Sequence, residues 1–321
     1  MNNVLACDRI LSWLIFDLDG ITPCCEKPHN GELNISRYDH IDYQDIIDRK
    51  INLIQQINKN ESHICRSCYR IREYDNINKD MFDIDIISLT FDKTCNIRCS
   101  YCYTANDKIR KALVRPKEYR QKIRDKISDI LQLLPPGKLT AVGWTGGEPF
   151  LMEDFDAFYA KIAALRANSL CLYSNLTTFK DIVVPQTASP SIKIMCSLDC
   201  GTEETYKKIK KQPFFNNVIE NIRKYCEINS DTIFVKYIFC DHNISIDEID
   251  QFFILMKQIG VKNVILGLDD YLHELPSNQY KESILYFAQK AITMGFHAGN
   301  VIRLNIPELD SIIVKSNSIT V

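Results

Sequence analysis

The sequence has no marked excess of charge of either sign. Its 321 residues include 39 Lys or Arg and 41 Asp or Glu, which gives a formal net charge of −2. A partner such as nucleic acid or an anionic membrane surface would favour a basic protein, so we expect neither among the partners. The six histidines are scattered without the spacing of metal ligands.

Long apolar runs are also missing. No stretch approaches the roughly 20 apolar residues that a membrane-spanning helix needs. Residues 1–21 lack the basic start of a signal peptide, and charged side chains interrupt their apolar positions. We therefore expect a cytoplasmic protein.

Cysteine, in contrast, is abundant, with 13 residues. In a cytoplasmic protein this number indicates metal or redox chemistry before disulfides. Three of them, Cys95, Cys99 and Cys102, lie within eight residues (95–102, the cluster loop), directly after the strand-like run 84–91. Three thiolates suit a [4Fe–4S] cluster with one open iron, because full ligation would need a fourth. An open iron can bind a substrate or cofactor, so the loop predicts chemistry.

The cluster loop closely resembles the cluster motif of the radical S-adenosylmethionine (SAM) enzymes, including the aromatic Tyr101 before the last cysteine. The resemblance implies that the open iron binds SAM, which the reduced cluster cleaves to a 5′-deoxyadenosyl radical that abstracts a substrate hydrogen atom. It also implies a reductant such as flavodoxin or ferredoxin. A zinc site or a buried group of cysteines is the alternative.

Strand-like and helix-like patterns alternate after the cluster loop. Six strands with intervening helices predict an α/β fold with a parallel sheet. Six repeats are too few for a closed eight-stranded barrel, and they fit the partial (β/α)6 barrel of the radical SAM family. We expect an N-terminal module over 1–83, the barrel over 84–306 and a C-terminal tail over 307–321. The predicted strands are 84–91, 139–144, 169–174, 192–198, 232–239 and 262–268.

Glycines and a glutamate follow the second predicted strand, at the end where α/β barrels gather their chemistry. Glycine permits positive φ and a close approach of the backbone to a ligand. The run Gly146-Gly147-Glu148-Pro149 matches the GGEP motif of the radical SAM family. The resemblance implies that Gly146, Gly147, Glu148 and Pro149 bind the amino group of SAM.

Polar residues at the later strand ends complete the predicted SAM site, to which Tyr101 also belongs. Ser174 and Asn175 follow the third strand and Ser197 ends the fourth. The resemblance implies contacts with the ribose or carboxylate of SAM, and for Asn175 an ordinary turn is the alternative. Cys200 also stands at a strand end, and we predict that it donates a hydrogen atom in a radical epimerisation.

The segment before the cluster loop carries a second group of cysteines. An apolar run ending in Asp19-Gly20 predicts a β-hairpin, a helix is expected from about 43 to 58, and the C-x2-C pair Cys65/Cys68 follows. This order resembles the SPASM or twitch module of radical SAM enzymes, which holds auxiliary Fe–S clusters but commonly lies after the barrel.

This resemblance predicts an auxiliary Fe–S cluster in a small N-terminal cysteine-rich module. The predicted ligands are Cys24, Cys25, Cys65 and Cys68. Adjacent cysteines ligate one cluster awkwardly, so Cys7 or a substrate is a further candidate for the fourth position. Structural zinc on the same residues is the alternative.

The predicted function is that of a radical SAM enzyme that oxidises, epimerises or crosslinks its substrate. The substrate is a sugar, another small molecule or a peptide, with a slight preference for a small molecule or glycan. A non-catalytic Fe–S electron carrier or sensor is the alternative, and it would not need residues 146–149. A zinc-bound binding module is the third possibility.

Overall fold

The computed structural model describes residues 4–24, 33, 35–38, 43–78, 81–183, 191–269, 272, 274–302, 304 and 306–313. The chain divides into two compact units. The first contains Met1–Thr94, Leu113–Pro149 and Glu153–Cys171. The second contains Cys95–Ala112, Phe150–Met152 and Leu172–Val321. The predicted domain boundaries at 83 and 306 stay predictions.

Strands and helices alternate along most of the described chain. In order they are β1 (Val4–Ala6), α1 (Asp8–Ser12), β2 (Trp13–Asp17), β3 (Gly20–Thr22), α2 (Tyr43–Lys59), β4 (Arg72–Tyr74), β5 (Ile86–Leu89), α3 (Asp107–Leu113), α4 (Lys117–Gln132), β6 (Ala141–Trp144), α5 (Phe155–Ala164), β7 (Ser169–Tyr173), β8 (Ser191–Ser197), α6 (Glu203–Lys210), α7 (Phe215–Asn229), β9 (Ile233–Phe239), α8 (Ile246–Gln258), β10 (Asn263–Leu268), α9 (Asn278–Thr293), β11 (His297–Asn300) and α10 (Pro307–Ile313).

In the first unit the strands lie in the order β6-β5-β2-β3. β5 runs parallel to β6 and to β2. β2 and β3 form the predicted hairpin, with Asp17 opposite Gly20. A glycine is needed at this turn because a Cβ on Gly20 would lie 2.2 Å from the carbonyl oxygen of Ser36. A separate antiparallel pair joins β1 to β4, with Ala6 opposite Arg72.

In the second unit the strands lie in the order β11-β10-β9-β8, and all three pairings are parallel. Every residue of β10 is buried, as expected for a strand covered on both faces. Aromatic rings fill the core beside it, including Tyr237, Phe252 and Phe287. The residues of β7 are divided between the two units.

The predicted α/β fold is confirmed, because the six predicted strands correspond to β5 through β10. An α-helix follows each of them except β7, after which the described chain has a short 3-10 helix at Asp181–Val183. The sequence did not predict that β2 extends the sheet beside β5. The sequence after residue 302 favours short β-like pieces, and this interpretation is wrong for α10, which is a helix. Pro307 suits the first position of a helix, and Glu308 and Asp310 favour its first turn. Among the described residues, no helix is both long and apolar enough to cross a membrane.

Candidate active site

The cluster loop is fastened by its backbone to the C-terminal end of α6. Arg98 N–H donates to the carbonyl oxygen of Lys210 at 3.0 Å, and Ser100 N–H donates to that of Ile209 at 2.8 Å. The last carbonyls of a helix have no partner within the helix, so a neighbouring loop can satisfy them. The end of α6 therefore fixes the middle of the loop.

The three thiols of the loop have polar neighbours within the second unit. Asn175 Nδ2 lies 3.7 Å from Cys95 Sγ and donates to Asn96 Oδ1 at 2.8 Å. Cys102 Sγ lies 3.0 Å from the hydroxyl oxygen of Thr104. Cys95, Cys99 and Cys102 are all outside disulfide bonds. The predicted residue Asn175 is thus brought directly to a predicted cluster ligand.

These donors fit a [4Fe–4S] cluster with one open iron. In the described part of the chain, no three His, Cys, Asp or Glu side chains are gathered closely enough to hold a single ion. A cubane differs, because each thiolate binds a separate iron atom. Burial raises the pKa of the Cys99 thiol, and the positive charge of Lys210 opposes this shift. Lys210 therefore favours the thiolate form that binds metal.

A buried ion pair, joined by the hydroxyl of Tyr101, supports the cluster loop. Lys210 and Asp199 form an ion pair with side chains that are 1% and 0% exposed. Lys210 Nζ also donates to the hydroxyl of Tyr101 at 2.8 Å, and that hydroxyl donates to Asp199 Oδ2. Burial alone would lower the pKa of Lys210, but the carboxylate of Asp199 raises it above its ordinary value. A buried charge needs such a partner.

Asp199 ties this group to the sheet. Its Oδ1 accepts the backbone N–H of Ile238 at 2.7 Å, and its carbonyl oxygen accepts Asn243 Nδ2 at 2.8 Å. Its φ of 66° is in the left-handed region, where aspartate is one of the better tolerated residues. Four lysines, at 207, 208, 210 and 211, form a local run of charge, and from the sequence we expect such a run on a solvated helix face. That expectation is wrong for Lys210, which is buried against Asp199.

In the first unit, residues 146–149 pack against the chain that leads into the cluster loop. Glu148 N–H donates to the carbonyl oxygen of Thr94 at 2.7 Å. Gly146 and Gly147 have φ values of +85° and +59°. A Cβ on Gly147 would lie 2.3 Å from the Thr94 oxygen, and one on Gly146 would lie 2.9 Å from that of Thr90. Both glycines are therefore required by conformation and by space.

Charged side chains hold the same leading segment in place. Lys93 Nζ lies 2.9 Å from Asp17 Oδ1 at the end of β2. Burial alone would raise the pKa of Asp17, but the charge of Lys93 and several hydrogen bonds lower it. Arg120 of α4 donates to Asp92 Oδ2 at 3.0 Å and to the hydroxyl of Thr94 at 3.1 Å. The hairpin and α4 thus both brace residues 92–94.

The remaining predicted SAM-binding residues lie at strand ends, as expected. Ser174 and Asn175 follow β7, and Ser197 ends β8 opposite Lys236 of β9. Ser174 Oγ accepts the N–H of Leu176 at 3.0 Å. Glu148 and Ser174 are buried. Contact of any of these residues with SAM stays a prediction.

Cys200 is fully buried, and its thiol donates to the carbonyl oxygen of Leu198 at 3.4 Å. Burial raises the pKa of this thiol well above its ordinary value. Its role as a hydrogen-atom donor stays a prediction, and its burial counts against that role.

Four cysteines of the first unit line one small cavity: Cys7, Cys24, Cys65 and Cys68 (the N-terminal cysteine set). Three of the four predicted auxiliary ligands are thus brought together. The fourth, Cys25, lies outside the described residues. Cys7, predicted only as a further candidate for the fourth position, lines the cavity with them.

Comparison with known proteins decides the family. A family model described as "Radical SAM superfamily" matches residues 90–256, just over half of the chain, from the strand end before the cluster loop into α8. The chain belongs to the radical SAM superfamily. It therefore has the SAM-binding, iron–sulfur character of that superfamily, as the cluster loop predicted.

Relatives of this radical SAM protein include GTP 3′,8-cyclases. That of Clostridium botulinum strain Hall is 24% identical over 179 residues, which are 56% of this chain and 54% of the relative. A probable GTP 3′,8-cyclase of Saccharolobus islandicus is 23% identical over 186 residues. The chain thus spans about half the length of the curated relatives it matches.

The fold is similar to that of SuiB from Streptococcus suis. That crystal structure matches 86% of this chain and 58% of SuiB, with a TM-score of 0.53 and 11% identity. SuiB bound to its precursor peptide SuiA matches 83% of this chain with a TM-score of 0.51. At this identity the likeness confirms the radical SAM fold alone.

Proposed function

We propose that this protein is an enzyme that cleaves SAM reductively and abstracts a hydrogen atom from its substrate. The observation that carries the proposal is the cluster loop, with three thiols, fixed to α6 and touched by Asn175. When bound, the reduced cluster supplies the electron for SAM cleavage, and the resulting 5′-deoxyadenosyl radical supplies the oxidising power.

The chain's own residues have separate parts in this proposal. Cys95, Cys99 and Cys102 hold the cluster. Tyr101 positions the cluster loop and contributes to SAM binding only indirectly, because its hydroxyl is already hydrogen-bonded to Asp199 and Lys210. The remaining predicted residues bind SAM and keep it oriented: Gly146, Gly147, Glu148, Pro149, Ser174, Asn175 and Ser197.

The alternative of a non-catalytic Fe–S carrier or sensor has less support. An electron carrier needs cluster ligands, but it does not need two left-handed glycines and a buried glutamate beside the chain that enters the cluster loop. Those glycines let residues 146–149 lie close to the backbone of Thr90 and Thr94, and the match to the GGEP motif is what favours a SAM-binding loop. The reaction class, whether oxidation, epimerisation or crosslinking, stays a prediction.

The substrate we propose is a small molecule or glycan, with a peptide as second candidate. The GTP 3′,8-cyclases support the first, because their name gives a nucleotide as substrate and that of Clostridium botulinum aligns with this chain over 179 residues at 24% identity. SuiB, whose structure holds a precursor peptide, supports the second. A reductant such as flavodoxin or ferredoxin would supply the electron.

The test is anaerobic reconstitution with iron and sulfide, reduction with dithionite and addition of SAM. We expect 5′-deoxyadenosine and methionine, and an EPR signal of the reduced cluster that changes when SAM binds. Cys99→Ala should abolish both the 5′-deoxyadenosine and the EPR signal. The matched control is Cys226→Ala, which should retain both. Intact clusters that neither respond to SAM nor yield 5′-deoxyadenosine would contradict the proposal.

The substrate class is tested in the same assay. GTP and a set of nucleotide sugars, each added to the reduced enzyme in deuterated and ordinary form, should raise the yield of 5′-deoxyadenosine if they are substrates. Transfer of deuterium into 5′-deoxyadenosine identifies the abstracted hydrogen. Stimulation by a peptide alone would favour the second candidate.

A further inference from the structure

The buried ion pair of Lys210 and Asp199 contacts the cluster loop on both sides of its middle cysteine. The carbonyl oxygen of Lys210 accepts the N–H of Arg98 at 3.0 Å, and its Nζ donates to the hydroxyl of Tyr101 at 2.8 Å. Arg98 directly precedes Cys99, and Tyr101 follows it by two positions. The two contacts therefore place Lys210 against the short stretch of chain that carries Cys99.

Both charges of the pair are held away from water. The side chains of Lys210 and Asp199 are 1% and 0% exposed. Lys210 Nζ also lies 5.1 Å from the centre of the Tyr101 ring, so an aromatic face covers the ammonium on the side of the loop. Charges in the protein interior are screened less than charges at the surface. Each charge of the pair therefore acts strongly on its surroundings.

The two charges act on Cys99 with opposite sign and unequal strength. Burial has the largest influence and raises the pKa of the Cys99 thiol. Lys210 lowers this pKa, and Asp199 raises it by less. The carboxylate is held towards the sheet, because its Oδ1 accepts the backbone N–H of Ile238 at 2.7 Å. The positive member of the pair is thus the one with the greater influence at the cluster loop.

A [4Fe–4S] cluster becomes more negative when it accepts an electron. A fixed positive charge nearby stabilises the reduced form more than the oxidised form, and a negative charge does the opposite. Net charge around the cluster, together with hydrogen bonds to its sulfurs, is among the factors that set its reduction potential. A buried pair with its ammonium against the ligand loop therefore has the geometry to shift that potential.

We infer that Lys210 raises, and Asp199 lowers, the reduction potential of the cluster held by Cys95, Cys99 and Cys102. Reduction adds one electron to the cluster, supplied in vitro by dithionite, and this step makes or breaks no bond. Lys210 and Asp199 are positioning residues, because they act through their charges and not by contact with the iron. The inference rests on the cluster in the proposed function, but not on SAM cleavage or on the substrate.

The experiment is a redox titration of the anaerobically reconstituted protein without SAM, followed by the EPR signal of the reduced cluster. Lys210→Met should move the midpoint to a more negative potential. At a fixed potential the ratio of reduced to oxidised cluster should fall about tenfold, which is about 59 mV for a one-electron couple. Asp199→Asn should move the midpoint to a more positive potential. Both changes break the same buried pair and lower stability, so only a charge effect gives opposite shifts.

Three further variants serve as controls. Lys210→Arg keeps the positive charge and should leave the midpoint close to that of the unchanged protein. Lys207→Met removes an exposed lysine of the same helix, paired with Glu203, and should not move the midpoint. Asp199→Asn/Lys210→Met removes both charges and should have a midpoint between those of the two single variants. Iron and sulfide are counted in every sample, so that only proteins with a complete cluster are compared.

Two results would overturn the inference. Shifts of the same sign in Lys210→Met and Asp199→Asn would show that distortion of the loop, and not charge, moves the potential. An unchanged midpoint in both would show that the pair has no influence on the cluster. If circular dichroism shows that a single variant is unfolded, the double variant still decides, because its midpoint should be more negative than that of Lys210→Arg. Failure of the proposed function is distinct, since it would leave these shifts but give no 5′-deoxyadenosine with SAM.

Discussion

The cluster loop takes three cysteines from eight consecutive residues, whereas the N-terminal cysteine set takes four from three separate segments. The loop is held mainly by backbone hydrogen bonds to α6 and by the buried group beneath Tyr101. The N-terminal cysteine set depends on the pairing of β1 with β4 and of β2 with β3. The cysteines of the cluster loop are therefore brought together by local sequence and only supported by distant residues. Those of the N-terminal cysteine set are brought together by tertiary contacts alone.

This difference sets what each group of cysteines needs in order to form. The three thiols of the loop are close together along the chain, whereas the four of the N-terminal cysteine set meet only when their strands pair. The comparison can be tested by changes that act on one site and leave the other unchanged.

The largest effect is expected from Lys210→Met. Loss of the ammonium leaves Asp199 buried without its ion pair, which should lower the free energy of unfolding by about 3–5 kcal/mol. Urea unfolding of the metal-free protein measures this.

Two further variants serve as controls for Lys210→Met, one on the same helix and one at Asp199, its ion-pair partner. Lys207→Met removes an exposed lysine paired with Glu203 and should change the free energy of unfolding by less than about 1 kcal/mol. Asp199→Asn/Lys210→Met should recover part of the loss, because asparagine is neutral and tolerates positive φ. Equal stability of Lys207→Met and Lys210→Met would contradict the role of the buried pair.

Gly147→Ala comes next. The added Cβ would meet the carbonyl oxygen of Thr94 at 2.3 Å, at a φ of +59°. We expect a loss of about 3 kcal/mol together with weak SAM binding, since residues 92–94 must shift. Gly137→Ala has φ +79° but no atom within 4 Å of the new Cβ, so it should cost only about 1 kcal/mol. Similar losses in both variants would show that the positive φ alone, and not the contact with Thr94, sets the loss of stability.

Tyr101→Phe should have a moderate effect. The ring stays, while the hydroxyl that joins Lys210 to Asp199 is lost, at a cost of about 1–2 kcal/mol. Amide hydrogen exchange of residues 98–102 should become faster, and exchange at residues 65–68 should not change. Unchanged exchange in the cluster loop would show that the hydroxyl does not support it.

The smallest effect is expected from Asp250→Asn, which lies outside both cysteine sets. A hydrogen bond from the Tyr286 hydroxyl at 2.6 Å lowers the pKa of Asp250, and burial only partly opposes it. Its contribution is therefore present above the ordinary aspartate pKa and is lost as pH falls through the lowered value. Asp250→Asn should lower the Tm slightly at pH 7, and the difference should shrink as the pH falls below the ordinary aspartate pKa, with the iron content of the cluster loop unchanged.

Prediction from the sequence succeeded where the signal is local. The spacing of Cys95, Cys99 and Cys102 indicated the family, and the alternation of strands and helices predicted β5 through β10. Residues 146–149 proved to have the left-handed glycines that the motif requires. These features depend on a few consecutive residues or on regular periodicity.

Features that depend on tertiary contacts were not predictable in the same way. Lys210 occurs in a run of lysines, and only its buried partner Asp199 distinguishes it from Lys207 and Lys208. The sequence does not place Cys7 beside Cys65 and Cys68, because the pairing of β1 with β4 joins segments that are far apart along the chain. The parallel pairing of β2 with β5 was missed for the same reason.

The separation of the ligands along the chain sets an order of assembly. Cys95 and Cys102 are 7 positions apart, and Cys7 and Cys65 are 58 positions apart. Closing the longer loop costs an unfolded chain about 2 kcal/mol more in entropy. The cluster loop can thus gather its three thiols while the chain is still unfolded, but the N-terminal cysteine set comes together only after β1 has met β4. The cavity that these four cysteines line is therefore complete only once the first unit has folded.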